Sequence, residues 1–264
     1  KIEHSVFALP FAFMGAFMAD GGLPRIQVLL LLTLAMVAVR SFAMGFNRLA
    51  DLEFDRQNPR TWNRPLVTGE ISTRETKIFL AVSALVFVLA SAGLNKACLV
   101  LSFPALGLCA FYSYTKRFTW LCHFVLGAVL GLAPVAGWFA VSPGLPLPVV
   151  LLFLGVLFWV AGFDILYSCQ DVELDRSLGL HSVPSRFGVG TALAVSSFCH
   201  VDTALFFLLA GWSAWLGWPY YLVWALVAGI LVYEHRLISE HDLSRITMAF
   251  FTLNGIISIV LFLG

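Results

Sequence analysis

A chain of 264 residues with 60% hydrophobic residues, 12% charged residues and a mean hydropathy of +0.90 is far more apolar than a soluble globular domain. The net charge of +1 says little by itself, and the sixteen basic residues form no patch of the kind that grips nucleic acid. The five cysteines, Cys98, Cys109, Cys122, Cys169 and Cys199, show no metal-ligand spacing and read as reduced core thiols.

Nine apolar windows are long enough to cross a bilayer, roughly 5–20, 26–50, 75–94, 97–115, 120–141, 147–169, 190–213, 218–234 and 246–263. All must be helical, because backbone groups in lipid are satisfied only internally, and the alternation of a β-barrel is absent. Lys1 is not a methionine, so a trimmed amino terminus is expected, and no stretch reads as a cleavable signal peptide. Glu3 and His4 precede the first span and would border the site described below.

The second span is apolar except for one stripe. Arg40, Asn47, Asp51 and Asp55 stand at offsets of 7, 11 and 15, which at 100° per residue lie within about 80° of one another. Charged side chains in a membrane helix cost about 2.5–3.5 kcal/mol each on insertion scales, so an aligned set marks a functional site. The stripe runs into the hexapeptide Asp51-Leu-Glu-Phe-Asp55-Arg56, and 120 positions later Asp171-Val-Glu-Leu-Asp175-Arg176 repeats its pattern. Aspartates at i and i+4 lie one above the other on a helix face, where like charges repel unless a cation sits between them. Oxygen-only clusters suit a hard divalent ion, above all Mg²⁺, which usually also holds substrate phosphates. Two such hexapeptides read as two halves of one metal–phosphate site.

Each hexapeptide precedes a loop rich in donors. The first runs Asn58-Pro-Arg60-Thr-Trp62-Asn-Arg64-Pro-Leu-Val-Thr-Gly69, and the second Ser177-Leu-Gly-Leu-His181-Ser-Val-Pro-Ser185-Arg186-Phe-Gly188. After the fourth span comes Tyr112-Ser-Tyr114-Thr-Lys116-Arg117. Cations on this face would clamp a diphosphate that Mg²⁺ bridges to the aspartates. His123 and His200 read as helix residues with satisfied partners. Glu234-His235-Arg236…Glu240-His241-Asp242 has a metal-like composition but reads as a solvated connector. Gly188-Val-Gly190 is no nucleotide fingerprint, since no strand precedes it and a third glycine is missing.

With nine spans, the amino terminus and the loops after spans 2, 4, 6 and 8 share one side. All basic residues but Arg25 and Lys96 fall on or near it, which makes it cytoplasmic by the positive-inside rule. Both acidic hexapeptides then face the cytoplasm. Trp212, Trp215, Trp218, Tyr220 and Tyr221 cluster at the far interface as an aromatic belt. The expected fold class is all-α: a polytopic membrane protein of nine transmembrane helices, built as two four-helix repeats plus one. The whole chain, 1–264, forms one domain with repeat halves at about 1–118 and 119–245.

The stretches Asn47-x3-Asp51-x3-Asp55 with Asn63-Arg64-Pro65-Leu66, and Asp164-x2-Tyr167-x3-Asp171-x3-Asp175, resemble the two aspartate-rich motifs of the UbiA superfamily of intramembrane aromatic prenyltransferases. The Tyr-x-Tyr-x-Lys-Arg stretch extends the resemblance over most of the chain. Within that superfamily, Arg40-Ser-Phe-Ala-Met44-x2-Asn47-Arg48-Leu49-Ala50-Asp51 and Gly179-Leu180-His181-Ser182 look most like the menaquinone branch that works on a dihydroxynaphthoate. The 4-hydroxybenzoate enzymes carry Asn-Asp where this chain has Asn47-Arg48, and lysines where Ser177 and His181 stand. A neutral histidine is a hydrogen-bond partner more than a counter-charge, which weakens a diphosphate role for His181.

The resemblance implies a UbiA-type fold and a mechanism. A polyprenyl diphosphate from the lipid would be held by two Mg²⁺, one on Asn47, Asp51 and Asp55 and the other on Asp171 and Asp175. Arg64, Lys116, Arg117 and His181 would bind the diphosphate, and the metals would stabilise charge on the leaving group. The allylic cation would then alkylate an electron-rich ring, with Tyr112, Tyr114 or Tyr167 facing the cation. Arg40 would bind the carboxylate of the aromatic acid, 1,4-dihydroxy-6-naphthoate or 4-hydroxybenzoate, and Asp164 would orient the ring or assist proton loss. The implied setting is a bacterial inner membrane, with membrane lipid as a partner and the site on the cytoplasmic side. Two other classes use similar residues. A transporter or ion pathway would spread its carboxylates through the membrane depth, and an alcohol phosphatidyltransferase would carry a single glycine- and alanine-punctuated motif.

Overall fold

The computed structural model describes residues 8–240, 242, 243, 246 and 252–263. Among them the chain is helical, and its one extended pairing is an isolated bridge between Ser239 and Asp242. The long helices are α2 (Ile26–Ala50), α5 (Thr73–Leu94), α6 (Lys96–Thr115), α7 (Cys122–Val141), α8 (Leu147–Ser168), α11 (Val189–Ser213) and α12 (Trp218–Leu237). Shorter apolar helices stand at the ends, α1 (Leu9–Asp20) and α13 (Asn254–Leu263). Short polar helices fill two connections: α3 (Leu52–Asp55) and α4 (Pro65–Thr68) after α2, and α9 (Val172–Ser177) and α10 (Val183–Phe187) after α8.

Six of the helices, α2, α5, α6, α7, α11 and the stretch Leu147–Ser177 that contains α8 and α9, are long and apolar enough to cross a membrane. Their outward faces are apolar as well. Leu30, Leu34 and Val37 on α2, Ile78, Val82, Leu85 and Leu89 on α5, and Phe198, Val201 and Leu205 on α11 are all exposed. Rows of large exposed hydrophobics along whole helices suit a lipid solvent and no aqueous one. The protein is an integral membrane protein. Residues 1–7, which hold Glu3 and His4, and 247–251 near the start of the last expected span lie outside the described residues.

α8 is the most enclosed of the six and packs between α7 and α11, while α1 lies on α7 and α2 on α5. Glycines permit the closest approaches, Gly15 among them, where a Cβ would overlap the carbonyl oxygen of Pro134 across the α1–α7 contact. A Cβ on Gly137 would overlap the carbonyl oxygen of Ala12 across the α1–α7 contact, and one on Gly127 would overlap that of Leu157 across the α7–α8 contact. Lipid offers helices no hydrophobic drive to associate, so such small-residue contacts let backbone surfaces meet and gain dispersion energy. The core is completed by Phe11, Trp159 and Phe207, with Phe11 ring centroids 5.4 and 6.0 Å from those of Trp159 and Phe207.

Local signals set the elements at the polar end. Ser72 and Glu75 form a reciprocal capping box that starts α5, and Ser182 with Ser185 does the same for α10. Pro65 and Pro184 stand in the first turns of α4 and α10, where a missing N–H costs nothing. At the opposite end Trp212, Trp215 and Trp218 are exposed around the α11–α12 connection. α11, at 25 residues, separates the two ends by about 37 Å.

One expectation is corrected here. Glu234 and His235 do not lie in a solvated connector, because α12 continues to Leu237 and Glu234 is 0% exposed. Asn254 Nδ2 stands 3.4 Å from Glu234 Oε1, and Trp159 Nε1 donates to Asn254 Oδ1 at 2.7 Å. His235 Nε2 and His200 Nδ1 are 2.9 Å apart, with Ser197 Oγ on His235 Nδ1 at 3.1 Å. His200 was expected to be fully partnered, yet its buried Nε2 has no hydrogen-bond partner among the described residues and packs over Gly162. His241 lies outside the described residues.

Candidate active site

The polar end of the bundle encloses a cavity of about 220 Å³ built mainly from three stretches of chain, with Cys122 and His123 at the start of α7 also lining it. The end of α2 and α3 supply Asn47, Asp51 and Asp55; the end of α6 supplies Tyr112, Lys116 and Arg117; the end of α8 and α9 supply Asp164, Tyr167, Asp171 and Asp175. Arg60 and Arg64 enter from the connection after α3. The hexapeptides do not form continuous helices. Asp51 caps α2 before α3 restarts the turn, and Asp171 closes a 3₁₀ turn, Cys169–Asp171, before α9. Each break leaves both aspartates of its pair at the rim of the same cavity.

Each of the four aspartates meets a different cation. Arg117 approaches Asp51 at 3.6 Å, Arg64 binds Asp55, Arg60 binds Asp171, and Lys116 Nζ lies 2.7 Å from Asp175 Oδ1. Two of these pairs cross between the halves of the chain: Arg60 Nε donates to Asp171 Oδ1 at 3.0 Å, and Lys116 reaches the second motif from α6. Asn47 Nδ2 donates to Asp51 Oδ2 at 2.8 Å, and Ser182 Oγ donates to Asp175 Oδ2 at 3.0 Å. Asp55 and Asp175 are buried. Carboxylates so enclosed are stable as charges only when paired and hydrogen-bonded, and here they are both. Among the described residues no three His, Cys, Asp or Glu groups converge into a ready-made metal cage. The counter-charges are the cations.

Burial raises the pKa of the Asp51 carboxyl above its ordinary value, and Asp55 pushes it the same way against Arg117 and Lys116. Burial opposes the charge on Lys116, but the contact with Asp175 and the field of Asp171 outweigh it, so its pKa is raised and it stays cationic. The four motif aspartates are therefore matched one to one by cations, and Lys116 holds its charge more firmly than an ordinary lysine.

A pattern for the UbiA prenyltransferase family matches residues 8–256. The chain belongs to this family. This UbiA-family enzyme, a prenyltransferase, is 34% identical over 250 residues to 4-hydroxybenzoate octaprenyltransferase of Salmonella paratyphi B, covering 94% of this chain and 85% of that protein. The apo structure of a UbiA homolog from Aeropyrum pernix K1 superposes with a TM-score of 0.90 at 33% identity, covering 99% of this chain and 96% of that one. A UbiA homolog from Archaeoglobus fulgidus bound to GPP and Mg²⁺ shares the fold at a TM-score of 0.73 and 20% identity, over 97% and 95% of the two chains.

Most of the residues singled out in the sequence meet in the UbiA-family cavity: Asn47, Asp51, Asp55, Arg64, Tyr112, Lys116, Arg117, Asp164, Tyr167, Asp171 and Asp175. Three are placed otherwise. Arg40 lines a separate apolar cavity of about 130 Å³ with Leu9, Phe87, Cys109 and Leu130, and its buried Nε has no hydrogen-bond partner among the described residues. His181 is not among the residues that line the acidic cavity. It serves through its backbone, its N–H donating to Lys116 O at 2.7 Å, and the side chain that reaches an aspartate from this loop is Ser182. Tyr114 lies outside the cavity with the Arg117 guanidinium 4.8 Å from its ring centroid, so one face of its ring already carries a cation. The Tyr167 ring similarly carries Arg60 at 5.1 Å.

Two members of the site gave no strong signal in the sequence. Arg60 looked like any loop arginine, and its reach to Asp171 depends on how the two halves pack. His123 was expected to be a satisfied helix residue, which it is, with Asp164 at 2.7 Å. That its partner is a cavity carboxylate could be read only in three dimensions.

Proposed function

We propose that this chain transfers a polyprenyl group from an allylic diphosphate to a hydroxylated aromatic carboxylic acid, on the cytoplasmic side of a bacterial inner membrane. The observation that carries the reading is the meeting of four aspartates from two distant motifs around one cavity, each held by a separate basic residue. The donor set suits Mg²⁺: carboxylates and one amide oxygen, with no thiolate among them. Asn47, Asp51 and Asp55 would hold one ion and Asp171 with Asp175 the other. When bound, the metal supplies positive charge that stabilises the diphosphate as it leaves.

The chain's own residues supply the rest. Arg60, Arg64, Lys116 and Arg117 now neutralise the aspartates, and the same four cations are within the cavity that a diphosphate would enter. When carboxylates turn to other cations, these side chains are released to bind phosphate oxygens, Lys116 as a point charge and the arginines as forks. Tyr112 lines the cavity and offers its ring to an allylic cation. Arg40, which lines an apolar cavity and whose buried Nε has no hydrogen-bond partner among the described residues, suits the carboxylate of an aromatic acid by a charge-assisted bidentate contact. Asp164 would take the proton that the ring loses.

The nine-span arrangement belongs to the same reading. α1, α2, α5 and α6 followed by α7, α8, α11 and α12 give two sets of four, with an acidic motif after the second helix of each set, and α13 as the ninth. Product analysis by mass spectrometry tests the activity, with purified protein in lipid nanodiscs, farnesyl or geranylgeranyl diphosphate, Mg²⁺ or EDTA, and each aromatic acid in a separate tube. A Mg²⁺-dependent prenylated 4-hydroxybenzoate or 1,4-dihydroxy-6-naphthoate is the expected product, and the tube names the acceptor. Diphosphate binding with no product from either acid would remove the assigned acceptor class, and vectorial ion movement without product would favour the transporter.

A further inference from the structure

His123 stands in the first turn of α7, 1% exposed, between two groups that constrain its chemistry. Its Nε2 lies 3.2 Å from the backbone nitrogen of Val183, which can only donate. Nε2 is therefore the acceptor, and the ring proton sits on Nδ1, 2.7 Å from Asp164 Oδ2. One oxygen of Asp164 is thus committed to His123, while Asp164 as a whole lines the acidic cavity. Val183 is also not an arbitrary anchor. It follows Ser182, whose hydroxyl donates to Asp175, and His181, whose N–H is tied to the carbonyl of Lys116. Cys122, the neighbour of His123, has its Sγ 3.5 Å from the carbonyl of His181. The segment 181–183 is in effect a strap over the start of α7, fastened at one edge to the Lys116–Asp175 pair and at the other to His123.

We propose that His123 is a positioning residue: it holds the Asp164 carboxylate for removal of the ring proton and fixes it in register with the second aspartate motif. The inference rests on the prenylation reading above. In the step concerned, the carbon–oxygen bond to diphosphate breaks, its electron pair leaving with the diphosphate, and the allylic cation so formed makes a carbon–carbon bond with a ring carbon. The ring then loses its hydrogen: the C–H pair returns to the aromatic system and the proton passes to Asp164 through the oxygen that His123 does not engage. Without His123 the carboxylate would be free to rotate about its side-chain bonds, and its distance to the ring would no longer be set.

A purely structural histidine would slow every step alike, so the deciding readout is an isotope effect. Acceptor deuterated at the substituted ring position is compared with normal acceptor in wild-type protein, His123→Phe, His123→Asn and His123→Gln. His123→Phe is expected to lower kcat roughly 10–100-fold, the range typical when the partner that orients a working group is removed, with KM for the prenyl diphosphate unchanged. It should also show a primary isotope effect that the wild type lacks, because proton loss becomes limiting. Asparagine can place an amide N–H where Nδ1 stood and should restore turnover without the isotope effect. Glutamine reaches toward Val183 instead and should not. Loss of rate with no isotope effect, unchanged rate in His123→Phe, or identical behaviour of the Asn and Gln variants would overturn the proposal. If His123→Phe does not fold, the Asn and Gln pair decides alone. Wild-type protein that prenylates no aromatic acid would instead sink the parent reading, and this one with it.

Discussion

Replacing Lys116 by methionine tests the exchange of cations in the site, because it removes one charge and keeps most of the stem. Lys116 Nζ is 2.7 Å from Asp175 Oδ1, and the Asp175 side chain is only 3% exposed. Removing one partner of a buried pair costs about 3–5 kcal/mol, because the remaining charge is stranded. The Ser182 hydroxyl stays on Asp175 Oδ2, which favours the low end of about 3 kcal/mol. At 2–4 °C per kcal/mol for a chain of this size, melting should fall by about 6–12 °C in EDTA. With Mg²⁺ and an unreactive prenyl thiodiphosphate another cation occupies Asp175, so the deficit should shrink to a minor fraction.

Turnover should fall for a separate reason. A unit charge about 4 Å from a leaving oxygen at an effective dielectric near 20 is worth about 4 kcal/mol. Lys116 is one-third exposed and shares the cavity with three arginines, so about half of that is a fair expectation, or roughly 30-fold in kcat. Melting is followed by tryptophan fluorescence in nanodiscs and turnover by mass spectrometry. An equal melting deficit with and without Mg²⁺ and thiodiphosphate would refute the exchange, since Lys116 would then serve Asp175 in both states. A kcat within about twofold of wild type would remove it from leaving-group stabilisation.

The other expectations concern each part of the assembly. Asp51→Asn and Asp171→Asn should each lower turnover by roughly 10³-fold, the several kcal/mol that a lost metal charge removes, while circular dichroism stays unchanged; normal turnover in either would refute the two-metal assignment. Arg40→Ala should raise KM for the aromatic acid by about 10–150-fold, the worth of a charge-assisted hydrogen bond, and leave KM for the diphosphate nearly unchanged; the reverse pattern would remove Arg40 from the acceptor site. Gly137→Ala should cost about 1–3 kcal/mol and lower the melting temperature, because the new methyl group meets the Ala12 carbonyl and backbone moves less readily than side chains; an unchanged melting temperature would mean that α1 and α7 can separate freely.

Much of the site was legible because lipid makes polar residues expensive. The stripe from Arg40 to Asp55 and the second motif at Asp171 and Asp175 stand out in a chain with so few charges. The four aspartates of the two motifs, with Lys116 and Arg117, do line one cavity. Helical periodicity alone put Arg40 in the same stripe, and there it was less informative. The stripe spans 15 residues, or about 22 Å of rise, so its two ends serve different cavities. Arg40 lies deep among apolar side chains while Asp51 and Asp55 sit at the polar rim.

What could not be read was pairing across distance. Glu234 and His235 looked like a solvated connector because three charged or titratable residues in a row usually mark a loop between spans. In the structure α12 carries them one turn further into the bundle, where His200 on α11 and Asn254 on α13 meet them. The four residues are scattered over 55 positions, and no local pattern announces that they will converge. The same limit hid Arg60 and His123. Arg60 acquires its meaning only when the connection after α3 crosses to Asp171, and His123 only when α7 sets it beside Asp164 on α8. A membrane interior selects strongly against an unpaired polar group, so a buried one as a rule implies a partner. It does not say which partner. That choice is made by helix packing, above all by the glycine contacts at 127 and 137 that fix where α7 lies against α8 and α1.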